Sequence, residues 1–492
     1  MKRSQKKLLF LGTFLCVVIL LIPESELKID TTSFDHSFEW NQDSLWQTLE
    51  REFVASRYEE GLQTVKLIQV SMAQLQRMTD TLNTTTVNTS DELLWRIERS
   101  VYYLATRVAV KPEFVADFSR IIMNLRFVVK KQSRNWDMKD RITRERLYRI
   151  LYGMRTALEE VLLQSQTDKF AEINPGHAES SVTPHADVLG VMLHSGDILV
   201  SRGGAPTSAL IARGNDFPGN FSHVALVHID SVTGKISLIE AHIEKGVAIA
   251  TWNEYIADKK LRILILRPRH DIPVLASDPM APHKAADFAL QLALQKHIPY
   301  DFVMNYRDHG ALFCSEVASS AYESVGISLW MGISRITSPG TKQWLSYFGV
   351  RHFETQEPAD LEYDPQLQVV AEWRNASALL QDQLDNAVID IMLEDADAGK
   401  PIEYNMWYLP AARMAKAYSV ILNFFGKVGP IPEGMSATAA LRNQWFSERH
   451  HAIRAKLKDE VKKYTEEKQY FPPLWERHRL ARVAKNKLDM MN

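Results

Sequence analysis

The hydrophobic period of this chain changes near residue 173, and that change restricts its fold more than any other feature. From about residue 40 to 170, apolar residues recur at three- and four-residue spacing. Examples are Leu45, Trp46, Leu49 and Phe53, then Val65, Ile68, Val70, Met72 and Leu75, then Leu147, Ile150, Leu151, Met154, Leu158, Val161 and Leu162. That spacing lays one apolar face on an α-helix, so the segment reads as a helical bundle or a long helical hairpin. Residues 83–90, almost all Thr and Asn, form a loop, and Asp91 before Glu92-Leu93-Leu94-Trp95 is an N-cap. The aromatic and Met positions here read as core rather than as a cofactor box.

Residues 173–187, with Asn174-Pro175-Gly176 and Thr183-Pro184, read as a linker. Beyond it the apolar runs are short and β-type: 197–200 after a Ser-Gly turn, then 222–229, 236–241 and 262–267. Val232-Thr233-Gly234-Lys235 joins two of these runs into a hairpin. In that hairpin His223 and Glu240 fall at similar heights, which allows them to be cross-strand neighbours about 5 Å apart. After Pro339-Gly340 helices return, over about 367–393, 409–425 and 437–464, with a Gly- and Pro-rich break at 429–434. Strands held between runs of helices make the fold class α+β.

The N-terminus sets the expected compartment. Lys2, Arg3, Lys6 and Lys7 precede an uncharged, mostly apolar run over 8–22, closed by Pro23 and Glu24. No small-x-small cleavage pattern follows, and Cys16 lacks the small residue before it that a lipoprotein box needs. The expectation is an uncleaved signal anchor within 1–30 rather than a cleaved signal. It crosses the cytoplasmic membrane once and leaves the rest on the periplasmic side. Cys16 lies inside the apolar run, so Cys314, the second of 2 cysteines, is an unpaired thiol in an oxidising compartment. A reactive role would explain its presence there. A net charge of −2 over 492 residues predicts no nucleic-acid partner. No phosphate loop or metal-ligand spacing occurs, so neither cofactor nor metal is expected. The basic stretch over 477–487 reads as a solvated terminal helix, with an anionic membrane surface as the alternative.

After Cys314, Val317, Ala318, Ala321 and Val325 follow at helical spacing, which puts the cysteine in the first turn of a helix. Free N–H groups and the helix dipole favour a thiolate there, so a lowered thiol pKa is expected. A lone cysteine can equally be a buried structural residue, and one histidine among 15 is usually only packed or solvated. Their combination with a carboxylate is more specific. An imidazole can take the thiol proton, a carboxylate can fix its tautomer, and helix N–H groups can stabilise an oxyanion.

Five segments also resemble a known family, in order: Ser195-Gly196-Asp197-Ile198; 221–227, which reads Phe-Ser-His-Val-Ala-Leu-Val; Ile239-Glu240-Ala241 with Gly246-Val247; Pro299-Tyr300-Asp301; and Phe313-Cys314-Ser315-Glu316. Over roughly 190–350 the chain is similar to the YiiX/YebB-like permuted papain-fold cysteine hydrolases of the NlpC superfamily, relatives of the lecithin:retinol acyltransferases. Histidine before cysteine is the order a circular permutation gives. The resemblance implies Cys314 as nucleophile, His223 as base and Glu240 as third member, with His242 competing for the last place. Asp197 and Ser222 would shape turns, Glu316 would meet the helix dipole, and Tyr300 and Asp301 would line the cleft. Asp308 and His309 form a competing pair.

The expected architecture is a circularly permuted papain-like core of antiparallel sheet plus nucleophile helix. It spans 173–355, between a helical domain over 31–172 and a C-terminal helical region over 356–492. The expected activity is that of an envelope thiol hydrolase cutting an amide bond through an acyl-enzyme, with peptidoglycan peptides as first substrate. A lipid acyltransferase or lipid hydrolase comes second, and a non-catalytic envelope binding or scaffold module third. Fold analogy is a weak warrant for substrate.

Overall fold

The structure, a computed structural model, describes residues 21–22, 24, 36–40, 43–58, 62–165 and 172–491. The expected anchor within 1–30 lies almost wholly outside the described residues. Among those described, no helix is long and apolar enough to cross a membrane.

From Asp43 onward the described residues form α1 (Asp43–Ser56), α2 (Leu62–Thr84), α3 (Glu92–Val108), α4 (Val115–Ser133) and α5 (Arg141–Gln164). Asp91 caps α3 by accepting the Leu93 N–H at 2.8 Å, and Asp140 caps α5 by accepting that of Thr143 at 2.8 Å. Leu94, Ile97, Val101, Leu104 and Val108 line the inner stripe of α3, and they share one core with Leu75, Leu82, Phe118, Ile122, Leu147 and Ile150.

Then come β1 (Ile173–Pro175), a small hairpin of β2 (His185–Val188) and β3 (Val191–His194), β4 (Ile198–Gly203), α6 (Pro206–Arg213), β5 (His223–Ile229), β6 (Ile236–His242) and β7 (Gly246–Ala250). After α7 (Trp252–Ala257) the chain forms β8 (Lys260–Pro268), α8 (Pro273–Ser277), α9 (Ala281–Gln295) and α10 (Cys314–Glu323). β9 (Ser334–Arg335), α11 (Pro339–Tyr347), β10 (Glu354–Thr355) and β11 (Leu367–Arg374) complete this part. One sheet of seven strands dominates, in the order β1-β11-β8-β4-β5-β6-β7, and every pairing in it is antiparallel. The pleat sends Ile198, Val200, Val224, Leu226, Ile239 and Leu264 to a face covered by α9 and α10. Leu199, Ala225, Val227, Leu238, Ile263 and Ile265 alternate onto the other face.

Two expectations need correction here. The helix expected over 367–393 begins only at Ala376. Before it, Leu367–Arg374 pairs with β8, so the sheet runs past the expected boundary at 355. Asn375 separates the two by accepting the Ala378 N–H at 2.8 Å, the N-cap of α12 (Ala376–Asp397). The chain closes with α13 (Leu409–Phe424), α14 (Ala437–Lys468) and α15 (Leu474–Asp489). The basic stretch lies in α15, and its cations meet acids of this same chain rather than an open face. Arg477 pairs with Glu160, Arg479 with Glu50, Arg482 with Glu394, Lys485 with Asp395 and Lys487 with Glu460.

The helical bundle is bolted to the sheet by buried charge. Arg155 of α5 binds Glu362 at 2.6 Å and also Glu372 of β11. Arg126 of α4 reaches Glu362 at 2.7 Å. Glu159 of α5 takes Arg262 of β8 at 2.6 Å, and Asp382 of α12 holds both Arg262, at 2.5 Å, and Arg202 of β4, at 3.1 Å.

Candidate active site

Cys314 is the first residue of α10. Val317, Ala318, Ala321 and Tyr322 bury that helix against the sheet, which fixes its N-terminus over the ends of β5 and β6. The thiol is 5% exposed. Its Sγ lies 3.9 Å from the carbonyl oxygen of Ser222, the residue just before His223. His223 Nε2 and Glu240 Oε2 are 2.7 Å apart, and His242 Nε2 lies 2.9 Å from Glu240 Oε1. Both imidazoles thus share one buried carboxylate, with their rings 5.5 Å apart. The register corrects the expected pairing by two residues. Glu240 sits opposite Ala225, so His223 reaches it diagonally, while Glu240 and His242 share a face by the two-residue period of the strand.

This arrangement sets the protonation. Burial alone would raise the Glu240 carboxyl, but the hydrogen bonds from His223 and His242 and the nearby imidazole charge hold it well below the usual carboxylate range. Burial lowers His223 below the ordinary histidine value even though its bond to Glu240 works the other way. A neutral His223 that donates from Nε2 keeps Nδ1 as its basic nitrogen. The expected lowering at Cys314 is reversed: burial pushes the thiol up to about 12 against the hydrogen bonds from neighbouring N–H groups. Burial thus favours the neutral form of both the thiol and the His223 imidazole.

The remaining candidates divide cleanly. Asp197 accepts from Arg267 and from the His194 N–H, each at 2.8 Å, and so shapes the entry to β4. Ser222 bonds Ser208 through its hydroxyl at 2.5 Å. Glu316 accepts the Phe313 N–H at 2.8 Å at the start of α10, and burial pushes its carboxyl up to about 9. Asp301 accepts the Val303 and Asn305 N–H groups, each at 2.7 Å, and tightens the loop that holds Tyr300 against the Cys314 core. Asp308 bonds the Gly310 N–H, and exposed His309 faces Glu316 at 3.9 Å.

Reading the sequence missed Glu357. It is buried, burial raises its carboxyl well above the ordinary value, and its Oε2 has no partner among the described residues. It lies close enough to Cys314 for its charge to raise the thiol further. An acid before a proline, beyond 350, reads as a surface turn and gave no signal. One group among the described residues could hold a metal: the ligand atoms of His223, Glu240 and His242 all lie within 4.8 Å of one another. A cation there would have to displace both N–H donors from Glu240.

A thiol at a helix start, packed against a strand pair that carries a histidine–carboxylate couple earlier in the chain, defines the permuted papain-like class. Residues 192–371 match the family of permuted papain-like amidase enzymes, YaeF/YiiX, C92 family. A matching solved structure is described as metalloprotein YiiX from Escherichia coli O157:H7. It is 19% identical, covers 36% of this chain and 97% of its own, and superposes with a TM-score of 0.29. A search of curated proteins gives no match.

Proposed function

We propose that the domain is an amide hydrolase that works through a cysteine acyl-enzyme. The observation that carries this reading is the spent Nε2 of His223: its bond to Glu240 leaves Nδ1 as the basic nitrogen, on the residue that follows the Ser222 carbonyl approached by the thiol. In the proposed cycle Nδ1 takes the Cys314 proton as sulfur attacks the amide carbonyl. The N–H groups of Cys314 and Ser315 at the start of α10 stabilise the oxyanion, because the first N–H groups of a helix have no carbonyl of the preceding turn to bond. The imidazolium, held by Glu240, then gives its proton to the leaving amine. Water, activated by the same imidazole, releases the acid and restores the thiol.

The export pattern of residues 1–30 supports an envelope substrate on the periplasmic side, and peptidoglycan stem peptides are the first class to test. Acyl transfer or hydrolysis on a membrane lipid through the same pair is the second reading. It is supported by the apolar residues Tyr300 and Phe302 beside the site. Intact-mass spectrometry after incubation with cell-wall peptides or with envelope lipids tests both. The expected result is a peptidyl adduct on Cys314 that is absent in Cys314→Ala. A fatty-acyl adduct would transfer the assignment to the lipid reading. Binding with neither adduct nor turnover would leave only the scaffold.

A further inference from the structure

Helix α13 turns its apolar side outward. Of its residues only Leu409, Ala412 and Ser419 are buried. Ala411, Met414, Tyr418 and Ile421 follow one another in steps of three and four, which is a single stripe of the helix; Trp407 in the 3-10 turn before it and Phe425 just after it extend the series, and all are exposed. Trp407 is 74% exposed, Phe424 85% and Phe425 69%. An aromatic and aliphatic patch of this kind on a folded surface marks a contact. Between residues 405 and 432 there is no Asp or Glu, and the charged side chains are Arg413, Lys416 and Lys427.

The geometry points to α13 as an interfacial membrane helix, lying in the surface of an anionic lipid bilayer and holding the mouth of the active site against it. Three observations choose lipid as the occupant. Arg413 donates to the carbonyl of Ile22, so the last residue of the uncharged run over 8–22 ends on α13 itself. Trp, Tyr and Phe along one face, with cations at the flanks and no acids, suit the boundary between headgroups and acyl chains. At 16 residues α13 is shorter than the ~20 needed to span a bilayer, so it would lie along the surface rather than cross.

The inner side of the helix gives this contact a consequence. Leu409 and Ala412 pack with Ile431 and Met435 in a cluster joined by Ile243 and Phe302. Ile243 directly follows His242. Phe302 meets Tyr300 edge to face at 5.1 Å, and Tyr300 packs on the core that contains Cys314. A bilayer under α13 would therefore be joined to the catalytic groups by a continuous line of packed side chains, through Phe302 and Tyr300 to the core of Cys314 and through Ile243 to His242. A substrate borne by membrane amphiphiles would meet the thiol without leaving the surface.

The test uses the full chain with Cys16→Ser and Cys314→Ala and a single new cysteine, Ile421→Cys or Phe424→Cys, carrying an environment-sensitive fluorophore. Val232→Cys, at a position 90% exposed in the β5–β6 turn, is the control. On vesicles of equal phosphatidylcholine and phosphatidylglycerol, the labels at 421 and 424 should shift to the blue and be quenched by acyl-chain nitroxides, while that at 232 stays in water. The shift should be lost for a label at Met414→Cys when Ile421→Glu and Phe424→Glu are added, with circular dichroism unchanged. Water-like emission at 421 and 424 on vesicles overturns the proposal. So does shielding already present without lipid, whether in a monomer, covered by its own N-terminal run, or in a dimer. The readout needs no turnover, so its failure leaves the amidase reading standing.

Discussion

At the scale of single residues, the site depends on one carboxylate that serves two histidines. Glu240 accepts from His223 with one oxygen and from His242 with the other, and these two hydrogen bonds keep it ionised in a buried position. Glu240→Gln should keep the fold but turn an amide N–H toward one histidine, releasing the His223 tautomer and lowering kcat/KM by roughly 10²–10⁴-fold. His242→Ala, which leaves the His223–Glu240 bond intact, should cost less, and Cys314→Ala should remove essentially all activity. A crippled His242→Ala beside a silent Glu240→Gln would give the third place to His242. The thiol makes a separate test. Because burial raises Cys314 to about 12, its thiolate fraction at pH 8 is below that of a free thiol, whose value is about 8.5. Iodoacetamide labelling should be slower than for a model thiol at pH 8 and should climb steadily as pH rises above it. A rate already level below pH 7 would instead reveal a preformed thiolate–imidazolium pair.

At the scale of elements, what could be read in the sequence is what local patterning controls. The β5–β6 hairpin, the start of α10 at Cys314 and the α3 cap each depend on residues close in sequence, and each stands where expected. β11 was illegible because Leu-Gln-Val-Val-Ala-Glu-Trp-Arg puts apolar residues on both faces of a strand buried between β1 and β8, and such a run reads equally as helix. The charge network was illegible for another reason. Arg155 and Glu159, one turn apart on α5, look like a solvated pair until β8 and β11 arrive from a hundred residues or more away. The two kinds of ion pair should differ in weight. Removing one member of a buried pair strands the other, so Glu372→Gln should lose about 3–5 kcal/mol. Glu394→Gln breaks the pair with Arg482, whose side chains are 48% and 51% exposed, and should change stability by no more than about 1 kcal/mol. Urea midpoints of the two variants decide this, and equal losses would deny the network its role.

For the whole molecule, the same network decides whether the expected domains are independent. The core of helices α1–α5 also contains Phe217, Tyr363 and Leu379, which belong to the parts of the chain after residue 173. Arg126, Arg155 and Glu159 from the bundle find their partners in Glu362, Glu372 and Arg262 of the sheet region, all buried. Pulling the two parts asunder would expose apolar core and leave these charges without partners, at a cost far above that of an ordinary linker. The expected outcome is that the change of hydrophobic period near 173 marks a change of secondary structure and that the two parts unfold together. Urea unfolding followed by far-UV circular dichroism, dominated by the helices, should coincide with loss of Cys314 protection from alkylation, which reports the sheet and α10. A fragment of residues 173–375 should fail to show the cooperative transition of the full chain. If the helical signal fell first while Cys314 stayed protected, the bundle would be an appendage, and the charges joining it to the sheet would contribute little to stability.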